Sequence, residues 1–298
     1  MSRASRGVRR EFRAGEIMHR GWVALATAFC IGAASSSTPS VAQTVPKNPQ
    51  IDIAYVVPRS ERFQPIYLRL RDLQVFEILQ QFLSPLRLPR KILVKADECG
   101  AMRMPYQGNA QAVICYEYIL AMEQSAPAAT TAPIADGRIA REGVIVGAFV
   151  NEVLSQVGRA IFDVLEIPVW GDINDASDNV AALIMSQFGD AVAWRTLIGT
   201  SWFLAQRTYV GRGTFSEVVG PSEAPRFYNY LCIAYASNPN NFGFLSGDIP
   251  KDRLGWCQQD YRKLVRSFKQ TILPHVDAVR LKQIQSVDWI KLLQMAKN

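Results

Sequence analysis

The feature that most constrains this chain is one long helical run, "IAREGVIVGAFVNEVLSQVGRAIFDVLEI", residues 139–167. Val150, Val153, Leu154, Val157, Ala160, Ile161, Val164 and Leu165 recur at helical spacing over one broad face, so the rest of the fold must wrap this helix on most sides. Glu152, Ser155, Gln156 and Arg159 interrupt the apolar surface along a single stripe. Pro168 and Gly171 then break the chain. A second helix follows, capped by Asp172 or Asn174 and running to about Phe188.

The remaining elements fall around this pair. Val45–Gln50 reads as a loose polar leader, and Ile51–Val57 alternates as a strand. From Pro65, the residues Leu68, Val75, Ile78, Leu79 and Phe82 keep helical spacing until Pro85. "RKILVKADEC" and "QAVICYEYIL" give two more strands, the last running into a helix, with a turn "AMRMPYQGNA" between them. "EQSAPAATTAPIADGR" is a Pro/Ala/Thr loop. Further helices are expected at Ala191–Arg207, Pro225–Ala236, Gln258–Ile272 and Val279–Ala296. Strand, helix, strand, strand and then many helices is an α+β order, with a small sheet at the N-terminal end and a mostly helical second half.

The first 42 residues read as an export signal. A basic stretch at Met18–Arg20 precedes an uncharged run, Trp22–Ala34, and Ser40 and Ala42 put small residues at −3 and −1, so cleavage is expected after Ala42. Met1–Glu16 would be an upstream extension, with Met18 an alternative start. The apolar run is too short for a stable membrane span, which needs about 20 residues. Residues 1–42 hold six Lys/Arg and two Asp/Glu, which leaves 27 basic and 24 acidic residues in a mature chain. No dense basic run remains, so a nucleic-acid partner is not expected. Four cysteines also remain, and export favours pairing them locally as Cys99–Cys115 and Cys232–Cys257.

Several separate pieces carry a family resemblance: "LRLPRKILVKADECG", "ICYEYIL", "FDVLEIPVWG", "DASDNVAAL", "RFYNYLCIAYASNP" and "LPHV". On these the chain resembles the exported DUF4344 proteins, which look like zinc metallopeptidases of the gluzincin type, over roughly Ile51 to Val276. The resemblance implies a single zincin-like domain over 43–298, made of a sheet-containing part (43–124), a loop (125–138) and a helical part (139–298). It also implies an HExxH motif on the long helix: two His to hold zinc and a Glu as general base, with a third ligand after the Pro/Gly joint. Here those positions hold Ser155, Gln156, Arg159 and Asn174, while Asp175, Asp178 and the motif's Gly158 remain.

The substitutions remove the chemistry. Serine is a poor neutral ligand, glutamine is no base, and arginine is a fixed cation. The one histidine left after position 42, His275, lies far along the chain. The sequence therefore predicts no bound metal and no catalytic residue. It predicts instead a periplasmic or secreted pseudopeptidase that binds a peptide or protein through Glu152, Arg159, Asp175 and Asp178. An Arg159–Asp178 pair is expected, with Asp163 as a competitor for Arg159. The plain alternative for Ser155, Gln156 and Arg159 is a wet helix face. The functional alternatives are a hydrolase with an altered site and a purely structural envelope protein.

Overall fold

The computed structural model describes residues 45–126, 132–134, 137–139, 141–209 and 223–287. The predicted export signal and the half of the predicted C-terminal helix beyond Val287 lie outside these residues. The fold is α+β, as the element order implies.

Three strands, β1 (Ile51–Tyr55), β2 (Ile92–Asp97) and β3 (Gln111–Cys115), form a parallel sheet in the order β1-β2-β3. A parallel pair needs a crossover, and α1 (Gln64–Asp72) and α2 (Val75–Phe82) supply it between β1 and β2. Ile92, Val94, Ala96, Ala112 and Ile114 alternate into the core. On the opposite face of β2, Lys95 and Asp97 pair with each other at 2.9 Å. Strand β3 passes directly into α3 (Tyr116–Ser125).

Three local expectations need correction. The predicted helix after Pro65 is two helices, because Gln74 takes a left-handed backbone (φ 52°). The break exposes the start of α2, and the Tyr55 hydroxyl accepts from Phe76 N (2.8 Å) there. Val45–Gln50 is also not loose throughout. Asn48 is buried, and its amide donates to Leu83 O (2.6 Å) and Leu86 O (2.8 Å), closing the end of α2. Within the expected Pro/Ala/Thr loop, β4 (Ala132–Ile134) and β5 (Gly137–Ile139) pair antiparallel.

Helix α4 (Arg141–Val164) is the long helix of the sequence, and every residue from Asn151 to Phe162 is buried. By length and composition it could cross a membrane, but its apolar surface is spent inside the protein. It divides two cores. Val144, Ala148 and Leu154 face a helical core built with α3, α5 (Ile173–Ser186), α7 (Gly199–Tyr209) and α8 (Glu223–Ser237). Val153, Val157, Ala160 and Ile161 face the sheet and α1. Such apolar burial stabilises by roughly 1.5–3 kcal/mol per large side chain.

Glycines set how closely α4 is approached. The short α6 (Asp190–Ala193) leads through one wide π turn, Trp194–Ile198, into α7. There a Cβ on Gly199 would stand 2.2 Å from Gly143 O, and one on Gly147 would stand 2.7 Å from Arg195 O. Thr200 Oγ1 uses this contact to donate to Gly147 O (3.0 Å). The C-terminal part adds α9 (Pro239–Phe242), α10 (Lys251–Thr271) and α11 (Ala278–Gln285). Both predicted disulfides are present: Cys99–Cys115 closes the β2–β3 loop, and Cys232–Cys257 joins α8 to α10.

This packing predicts opposite outcomes for two glycine-to-alanine changes. Gly199→Ala should destabilise by about 1–3 kcal/mol or more through overpacking. Gly255→Ala, in α10 with open space around its Cβ, should stabilise by about 0.5–1 kcal/mol through helix propensity. Chemical denaturation of the two variants checks both signs.

Candidate functional site

The polar stripe of α4 is not a wet face: Glu152, Ser155, Gln156 and Arg159 are all buried. Three other elements close over it. Helix α5 brings Asp178, α8 brings Arg226 and Tyr230, and the disulfide-closed loop between β2 and β3 brings Arg103. Helices α4 and α5 approach closely because Gly158 has no side chain; a Cβ there would lie 3.3 Å from Ser177 Cβ.

Asp178 uses both carboxylate oxygens. Ser155 Oγ donates to Oδ1 (2.5 Å) and Arg226 Nε donates to Oδ2 (2.5 Å). The expected Arg159–Asp178 pair is therefore replaced by Arg226–Asp178. The reason is geometric: Ser155, one turn before Arg159, reaches the carboxylate from α4, and Arg226 takes the other oxygen from α8. Asp163 does not compete for Arg159 either, since it faces Arg90 (3.0 Å), the Tyr106 hydroxyl (2.8 Å) and Ala110 N (3.1 Å).

Glu152 forms the second centre of the network. Arg103 approaches it with Nε on Oε1 (3.1 Å) and Nη2 beside Oε2 (2.5 Å). Gln156 Nε2 also donates to Oε1 (2.6 Å). Arg103 stacks over the Tyr118 ring, 5.4 Å from its centroid. Tyr230 donates its hydroxyl to the buried Asn151 amide oxygen.

The electrostatics follow from burial among charges. Burial alone would raise the Asp178 carboxyl, but Arg226, Arg103 and the bond from Ser155 outweigh it and hold its pKa below the ordinary value. Burial opposes the charge on Arg103, and Glu152 more than compensates, so its pKa is raised. Arg159 differs: burial and the charge of Arg103 together lower its pKa, against weaker support from Glu152 and Asp178. Burial pushes Tyr230 well above the usual tyrosine range.

The other candidates lie elsewhere. Asp172 caps α5, accepting from Asn174 N (2.7 Å) and Asn174 Nδ2 (2.8 Å). Asp175 is exposed in the first turn of α5, and its pKa is raised by partial desolvation, then by Asp172 and Asp178. His275 ends a short turn whose backbone meets Arg87. Of the aromatics, Trp202, Phe203, Phe227 and Tyr230 are core, whereas Trp170 at the Pro/Gly joint is 96% exposed. Cys99, Cys115 and Glu117 come together, but the thiols are bonded to each other and Glu117 accepts from Cys99 N (3.1 Å) and Gly100 N (2.7 Å).

A family model described as "Putative metallopeptidase" (DUF4344) matches residues 55–272. The chain belongs to this family. No curated protein and no solved structure matches it. The matched region contains every residue of the buried network, so in this member the network stands inside the family scaffold.

Sequence reasoning missed Arg103 and Arg226. Arg226 had a signal: it lies four residues before Tyr230 in an apolar, aromatic helix, where a charge on the inner face needs a partner. Arg103 sits in a turn without periodicity and had none.

Breaking the network should be costly. Asp178→Ala leaves Arg226 without its buried carboxylate and should destabilise by about 3–5 kcal/mol. Because the Asp178 pKa is depressed, its stabilisation is full above the unfolded value of about 3.9 and fades as pH falls below it. Unfolding free energies from pH 7 to pH 2 should show the difference between the wild type and Asp178→Asn shrinking toward acid.

Proposed function

We propose that this chain is a metallopeptidase-family protein that works without catalytic zinc, an exported domain that binds a peptide or protein partner and does not cleave it. The observation that carries this reading is the fate of the three motif positions. The Ser155 hydroxyl is committed to Asp178, the Gln156 amide donates to Glu152, and Arg159 is a buried guanidinium. The two nearest buried carboxylates are each engaged by an arginine. Such a donor set does not suit zinc, which needs neutral imidazole, thiolate or free carboxylate ligands around one point. Nor does it supply a base, since an amide cannot take the proton of a bound water.

Support for a binding role comes from a polar pocket of about 200 Å³ beside Gln156, lined also by Tyr106, Gln107, Asn109 and Gln111. Strand β3 carries Gln111 and is the outer strand of its sheet among the described residues. An outer strand with unused backbone groups can take an extended peptide. Support for export comes from the two disulfides, which suit an oxidising compartment, together with the leader-like residues 1–42.

Two measurements test the reading. Purified protein should hold no stoichiometric zinc by elemental analysis and should show no chelator-sensitive cleavage of a mixed peptide pool; one zinc per chain with such cleavage would overturn it. N-terminal sequencing of the exported protein should begin at Gln43.

A further inference from the structure

Among the described residues, Arg159 receives no hydrogen-bond partner from the network that surrounds it. It is 2% exposed, and its Nε and Nη2 are buried without a hydrogen-bond acceptor among the described residues. A buried guanidinium in that state is costly, because its donors lose water and gain nothing. Neighbouring charge does not resolve it. Among the described residues, Glu152 is engaged by Arg103 and Asp178 by Arg226 and Ser155, and neither carboxylate accepts a hydrogen bond from Arg159.

The identity of the two unpartnered nitrogens is informative. Nε and Nη2 form one edge of the guanidinium, with parallel N–H bonds spaced to match the two oxygens of a carboxylate. One carboxylate would satisfy both donors. Gln156, three residues before Arg159 on the same buried stripe, is part of the wall of the polar pocket.

We infer that Arg159 is the anchor of a carboxylate-binding site, in which a ligand carboxylate bridges Nε and Nη2. The site stands on geometry alone; only the origin of the carboxylate rests on the peptide-binding reading. A small free carboxylate and the C-terminal carboxylate of a peptide present the same group.

Thermal unfolding of the purified protein separates these sources. The probes are sodium formate, a tripeptide with a free C-terminal carboxylate, and the same tripeptide as its amide, each against sodium chloride at equal ionic strength. At a hundredfold excess over Kd, a bound carboxylate should raise Tm saturably by about 5 °C. The rise should vanish in Arg159→Gln and persist in Arg266→Gln, an exposed control on α10. If formate and the free-acid tripeptide stabilise but the amide does not, the site accepts peptide carboxylates. If formate alone stabilises, the site stands while the peptide-binding reading fails.

A crystal structure of the wild type grown with formate keeps the test independent of the variant's folding. Formate on Nε and Nη2 is the expected result. The inference is overturned if water or a carboxylate of the chain itself occupies those donors, or if no probe gives a saturable, Arg159-dependent shift.

Discussion

Asp178 sits between Ser155 of α4 and Arg226 of α8, with each carboxylate oxygen held by a different helix. This contact lets three helices close over a buried stripe of charge. Ionised groups pay several kcal/mol each to leave water, and they recover it only through short, well-directed partners. Glu152 meets the same requirement at Oε1 through Arg103 and Gln156, with the Arg103 guanidinium beside Oε2. The two carboxylates therefore fix the positions of α5, α8 and the β2–β3 loop relative to α4. Replacing these pairs with apolar groups of equal shape need not destabilise, but removing one partner leaves its mate charged and buried. The network thus specifies an arrangement more than it adds net stability.

The two disulfides support that arrangement from outside. Cys99–Cys115 closes the loop that delivers Arg103, and Cys232–Cys257 ties α8, the bearer of Arg226, to α10. Each crosslink thus restrains an element carrying one of the arginines. The scaffold belongs to a metallopeptidase family, yet what a member does depends on the groups at its site. In this chain the buried stripe of α4 presents a hydroxyl, an amide and a guanidinium among two ion pairs.

Much of the fold was legible because its signals are periodic or local. The 3.6-residue spacing from Val150 to Leu165 revealed a helix buried on most sides, and α4 is that helix. The alternation in "ILVKAD" gave β2, and the local spacing of the cysteines gave both pairs. What failed depends on contacts between distant residues. The break at Gln74 needs the Tyr55 hydroxyl at the start of α2, and the burial of Asn48 needs carbonyls from Leu83 and Leu86. At the site, the sequence brought together Glu152, Ser155, Gln156, Arg159 and Asp178 but gave Asp178 the wrong arginine. Choosing between Arg159 and Arg226 required knowing which oxygen Ser155 had already taken.

The central proposal is that fixed charges, and not a metal ion, occupy the buried stripe of α4. The most direct measurement is the Tm of the purified protein with excess zinc, with a strong chelator, and with neither. A ligand that binds only the folded state raises Tm by mass action, so a structural or catalytic zinc could not escape this comparison. The account predicts the same Tm in all three conditions. A rise with zinc that the chelator reverses would contradict it.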